Sequence, residues 1–287
     1  MVSRISSDTM YTFVVLAGFV GIALGQNTPC GVPIVNPITS RITGGKDAIA
    51  GSWPWMVMLV DDLGFISGSA FILGKHTLLT SAQHFEGDNY HLADVNTAQW
   101  TMYFGAHNIN TAGPHERNYT IKSVTVHENF DVNTLENDLA LIYTNEEIVY
   151  NDHTQPICLP NPGHTYKVGQ MCYLAGWGDT GNANDEVLKQ VGLPIMSDAT
   201  CQGHWQDYLP GTELCAGYEN GGKDFCGDDI GSPLMCKDAS GAWYAQGIAS
   251  SGGDCTVADE PGIFEDVSKY TNWIKTSMAS AGYPYEY

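Results

Sequence analysis

Eight cysteines spread between Cys30 and Cys255 constrain this chain more than any other feature of its sequence. Cysteines staple a chain in an oxidising compartment and tend to hold metal or do redox chemistry in a reducing one. The N-terminus indicates which applies. Arg4 is followed by a short apolar run over residues 12–25 that closes on small residues, Ala23 and Gly25. That is the pattern of a cleaved secretory signal, and it is too short to span a bilayer. Cleavage after Gly25, a soluble secreted product and paired cysteines are therefore expected. No cysteine pair has CxxC spacing and no histidine spacing suits zinc, so neither a metal site nor a cofactor is expected. Spacing alone leaves on the order of a hundred pairings open.

The 287 residues suffice for a large core, in one large or two modest domains. The formal net charge is -20, from 12 Lys and Arg against 32 Asp and Glu. Such a surface repels nucleic acid and anionic membranes, and would suit a cationic protein partner. Asn118-Tyr119-Thr120 is the one sequon, on a polar stretch, and makes Asn118 a candidate glycosylation site. Residues 53–60 read as a strand, and the apolar run after Asp138 as a core strand. Gln155 to Gly163 is dense in proline and marks a connector. Val267, Tyr270, Ile274 and Met278 recur at helical spacing before Gly282.

The richest motif is Cys226-Gly227-Asp228-Asp229-Ile230-Gly231-Ser232-Pro233-Leu234-Met235-Cys236. It resembles the nucleophile segment of the trypsin/chymotrypsin serine endopeptidases, Gly-Asp-Ser-Gly-Gly-Pro-Leu. Ile230 then stands where the attacking serine belongs, and Asp228 where a glycine N–H helps form the oxyanion hole. Other motifs follow in family order. Thr80-Ser81-Ala82-Gln83-His84-Phe85 is similar to the catalytic-histidine segment, and Asn137-Asp138-Leu139-Ala140 to the strand with the buried aspartate. Cys172-Tyr173-Leu174-Ala175-Gly176-Trp177-Gly178 resembles the opening of the second half. Ser67 and Phe85 stand where that family has one further disulfide, so both halves of it are missing together.

The resemblance covers about residues 42–282 and implies an all-β fold of two six-stranded antiparallel barrels with a C-terminal helix. It implies a first barrel over about 42–155, a second over about 166–266 and a helix over about 267–281. The implied disulfides are Cys30–Cys158, Cys172–Cys236, Cys201–Cys215 and Cys226–Cys255. Residues 26–41 would form a short propeptide that Cys30 keeps tethered after cleavage at Arg41. The new Ile42 ammonium would then pair with Asp229. Asp224 matches the aspartate that selects Lys or Arg, and Gly252 and Gly262 match the glycines that keep that pocket open. Ala106 takes the place of a carboxylate in the family's calcium loop, which argues against calcium.

A branched hydrocarbon has no lone pair and no removable proton, so Ile230 cannot attack an acyl carbon. Losing the triad serine costs on the order of 10⁶ in turnover, a magnitude borrowed from subtilisin, which has the same triad on an unrelated fold. Asp228 adds a carboxylate where negative charge would develop. His84 and Asp138 then read as a remnant, a histidine satisfied by a buried carboxylate. Ser232 is displaced from the attacking position, and Ser250 matches a serine that hydrogen-bonds the aspartate. The expectation is a secreted serine protease homologue that binds or regulates without catalysis. The rivals are an active trypsin-like endopeptidase cutting after Lys or Arg, and a structural or carrier subunit of a secreted assembly.

Overall fold

The computed structural model describes residues 28–39, 45–85, 97–178, 186–219, 229–252 and 260–287. The chain begins with a two-residue strand, β1 (Lys46–Asp47). Next come β2 (Met56–Val60), β3 (Ile66–Gly74), β4 (Thr77–Thr80), β5 (Thr101–Phe104), β6 (Arg117–Tyr119), β7 (Ile121–Val126) and β8 (Ala140–Thr144). The second half contributes β9 (Met171–Gly176), β10 (Lys189–Pro194), β11 (Glu213–Ala216), β12 (Pro233–Lys237), β13 (Trp243–Ser251) and β14 (Gly262–Asp266). The described elements also include two α-helices, α1 (Asp198–His204) and α2 (Val267–Ser280), and 3-10 turns at Ala82–His84 and Thr97–Gln99. The strand expected over 53–60 starts only at Met56, because Trp53 and Met56 first close a turn.

The strands form two curled antiparallel sheets, ordered β6-β5-β2-β3-β4-β8-β7 and β1-β10-β9-β12-β13-β14-β11. Each has seven strands where six are expected, for a different reason in each sheet. In the first, only Thr120 separates β6 from β7, so one bent strand pairs with β5 at one end and β8 at the other. That bend curls the sheet towards closure. In the second, β1 is an addition: it comes from before the first sheet's strands yet pairs with β10. There the opposite edges meet through Met196 N–H to Cys215 O (2.9 Å) and Gly217 N–H to Pro194 O (3.1 Å).

Fully buried strands such as β2 and β8 read as unbroken apolar runs because sheet packing covers both faces. The sheets are joined by aromatic side chains. Trp53 meets Trp243 edge to face at 4.9 Å between centroids, and its Nε1 donates to Gln190 Oε1 at 3.0 Å. Edge-to-face pairs contribute about 0.5–1.5 kcal/mol beyond their buried area. Helix α2 is capped by Asp266, which accepts from Ser268 N–H, and buries the stripe of Val267, Tyr270, Ile274 and Met278. Removing the cap would cost about 1 kcal/mol.

Three of the implied disulfides are present: Cys30–Cys158, Cys172–Cys236 and Cys201–Cys215. The fourth, Cys226–Cys255, lies outside the described residues. Cys30 ties the N-terminal segment to the second sheet, where Gln190 Nε2 donates to Ile38 O (2.8 Å) and Tyr173 Oη to Thr39 O (2.6 Å). Residues 28–39 are thus bound by more than their disulfide. Among the described residues no helix is long and apolar enough to cross a membrane.

Candidate functional site

The site lies in the seam between the sheets. Strand β4 ends at Thr80 and a 3-10 turn, Ala82–His84, follows, capped by Ser81. The turn delivers His84 to the seam, where it is buried. Its ring packs against Phe85 and Trp100, with centroids 6.3 and 6.4 Å away, and those two rings meet at 5.6 Å. An aromatic cluster therefore holds the His84 turn at the place where the missing disulfide would have clipped it.

Asp138 precedes β8 and is fully buried. Its carboxylate accepts from Ser81 Oγ at 2.7 Å to both oxygens, from Gln83 N–H at 2.9 Å, from Gln83 Nε2 at 2.7 Å and from Ser250 Oγ at 2.7 Å. Gln83 Nε2 also donates to Ser250 O at 2.9 Å. These donors come from the His84 turn and β13, and together they occupy the carboxylate.

Among the described residues the His84 ring hydrogen-bonds from Nε2 to the backbone carbonyl of Ile230, at 3.2 Å, while Asp138 acts on it through its charge. Burial lowers the His84 pKa, against the opposing pull of the Asp138 charge and the Ile230 carbonyl, so the neutral ring carries one N–H. A carbonyl oxygen only accepts, so that proton sits on Nε2. A base that deprotonates a nucleophile from Nε2 needs the opposite tautomer, with the proton on Nδ1 and oriented by the aspartate.

Residue 230 closes the seam from the second sheet. The Ile230 side chain packs against the core of that sheet, and its carbonyl also accepts from Ser69 N–H at 2.9 Å. Space here is tight. A Cβ on Gly68 would lie 2.7 Å from His84 Nε2 and 2.8 Å from Ile230 O. Gly231, at φ +82°, lies in the left-handed region that suits glycine. Ser232 is fully buried with an unpaired hydroxyl, and among the described residues no hydroxyl hydrogen-bonds the His84 ring. Among the described residues the seam offers an imidazole N–H, backbone carbonyls and a saturated carboxylate, a set that holds itself together.

The other expected site residues are partly accounted for. Asp229 is buried and accepts from Gly178 N–H at 2.8 Å. Glycine is needed at 178, since a Cβ there would approach the Asp229 carboxylate to 2.6 Å. Gly252 is exposed at the end of β13, Gly262 is buried at the start of β14, and Asn118 is exposed on β6. Arg41, Ile42, Asp224 and Asp228 lie outside the described residues, and with them the expected Ile42–Asp229 pairing and the basic-side-chain pocket.

Two features escaped the sequence reading. One is Gln83, whose only signal was a long polar residue directly before the histidine. The other is a buried acid pair behind Asp138. Glu265 Oε1 accepts from Asp138 N–H at 2.9 Å, and Glu265 faces Glu213 across the β11–β14 ladder. Burial pushes Glu265 up to about 8, with Asp138 and Glu213 adding to the rise. Burial likewise pushes Glu213 up to about 7. The signal was a glutamate directly after an apolar stretch of the strand, Gly262-Ile263-Phe264, with Asp266 following it. A family model described as Trypsin matches residues 42–274.

Proposed function

The chain belongs to the trypsin family, and we propose that it works there without covalent catalysis, as a secreted binding or regulatory protein. The observation that carries this reading is the bond from His84 Nε2 to the Ile230 carbonyl. It supports inertness twice over. The residue at the attacking position has no oxygen on its side chain, and its backbone oxygen occupies the face of the imidazole that a serine would need. Asp228, a carboxylate at the expected oxyanion position, points the same way. The disulfides and the signal-like run support secretion.

The test uses protein cleaved after Arg41 and offers it peptide esters of Lys and Arg. No turnover above buffer is expected, and no labelling by a serine-directed covalent reagent. Turnover that survives purification and disappears on His84→Ala would overturn the reading in favour of an active endopeptidase.

A further inference from the structure

A groove of about 360 Å³ opens on the first sheet, between the β2–β3 hairpin and the loop leading from β5 to β6. Its floor is apolar: Met58, Val60 and Ile66 from the hairpin strands, with Tyr103 of β5. On the hairpin tip Leu63 and Phe65 are 76% and 66% exposed, although both are large apolar side chains. The turn that displays them is built for it, since Asp61 Oδ1 accepts from both Leu63 N–H (3.0 Å) and Phe65 N–H (2.8 Å). Ile109, also exposed, closes the other side.

Carboxylates outnumber cations around this groove. Glu116 lines it, and Glu186 lies against it through Asn108, whose Nδ2 donates to Glu186 Oε2 at 3.3 Å. Asp62 sits on the same tip as Leu63. No Lys or Arg lines the groove among the described residues. The neighbouring Arg117 guanidinium is turned onto the carbonyls of Pro114 and Glu116. An apolar floor ringed by carboxylates, on a chain of net charge -20, is complementary to an apolar anchor flanked by cations. The same charge opposes a second copy of the chain.

We propose that this groove docks a segment of another protein in which an aromatic or aliphatic side chain stands beside Lys or Arg. The inference rests on the non-catalytic reading above and gives it a surface. Diffuse attraction of any cationic peptide to so acidic a protein is the competing account, so the test must separate anchor from charge.

The full mature protein is titrated calorimetrically with three short synthetic peptides: one alternating Leu and Phe with Lys, one with Ser in place of Leu and Phe, and one with Glu in place of Lys. Hydrogen exchange maps where each protects. The first should bind at least about tenfold more tightly than the others, because only it both buries an anchor and matches the charge. It should protect residues 61–66 and 108–116, and lose at least about tenfold in affinity with the exposed-site variant Leu63→Ser/Phe65→Ser and again with Glu116→Lys. Equal affinities for the Leu/Phe–Lys and Ser–Lys peptides, or protection elsewhere, overturn the assignment. Dimerisation by light scattering that the double variant abolishes would give the face to a second copy and overturn it as well. Turnover of Lys or Arg esters would sink the non-catalytic reading while leaving this binding result standing, so the two failures are distinguishable.

Discussion

The seam between the sheets and the groove on the first sheet treat their functional groups in opposite ways. In the seam, every oxygen of Asp138 is taken by Ser81, Gln83 or Ser250, and the Ile230 carbonyl is shared by Ser69 and His84. At the groove, on the hairpin tip beside it, Leu63 and Phe65 stand in solvent near carboxylates. Polar groups that satisfy one another internally stabilise and cannot recognise anything else. Apolar groups left in water cost stability until something covers them. The difference supports the proposal that the groove, rather than the seam, does the recognising.

The largest effect is expected at the centre of the seam. Asp138→Ala removes one buried acceptor shared by four donor groups, so it should lower unfolding stability by about 3 kcal/mol or more in urea titration. A loss below about 1 kcal/mol would mean the network relaxes freely, and the contrast between seam and groove would fail at its strong end.

The seam's self-containment also has a kinetic consequence. Restoring the nucleophile should not restore the base, because Gln83 occupies the carboxylate that would orient His84. In cleaved protein, adding Gln83→Ala to the Ile230→Ser/Asp228→Gly background should raise ester turnover by about 100-fold. A misoriented tautomer in this family's triad costs up to about 10⁴. Equal turnover with and without Gln83 would remove that residue from the account.

Much of this was legible from the sequence, because the fold's motifs are short and ordered along the chain. The three described disulfides, the helix beginning at Val267 and the pairing of Ser250 with Asp138 all lie where the motifs place them. What was not legible depends on side-chain direction. A glutamine before a histidine can point to solvent or into the seam, and only the packed turn decides. The bond from His84 to the Ile230 carbonyl was not legible for the same reason: motif order brings His84 and Asp138 near each other but says nothing about which other groups reach the ring or the carboxylate. Likewise, the facing of Glu213 and Glu265 follows from the β11–β14 register, which pairs residues far apart in sequence.

That acid pair gives the seam a pH signature. The folded state holds a proton on Glu265 up to about 8, whereas an ordinary glutamate loses it near 4.5. Because the native state binds more protons between those values, stability is fully present below about 4.5 and falls as pH rises through 8. The expected loss between pH 5 and pH 8.5 is a few kcal/mol, and Glu265→Gln should remove most of it. Glu213, raised to about 7, completes its share of the loss earlier. A urea midpoint that stays flat over this range in both proteins would exclude the buried proton.

The smallest effect belongs to the groove, and its smallness is informative. Leu63 and Phe65 make few contacts in the folded chain, so Leu63→Ser/Phe65→Ser should change stability by no more than about 0.5 kcal/mol. The hairpin turn itself should persist, since Asp61 holds it through backbone N–H groups that both substitutions keep. Side chains that do nothing for the fold are free to be spent on recognition, whereas those in the seam are not. A drop of 2 kcal/mol or more on the order expected for core residues would show the tip folded onto the body of the protein in solution. The groove would then be part of the core's own packing, and the opposition between the two regions would dissolve.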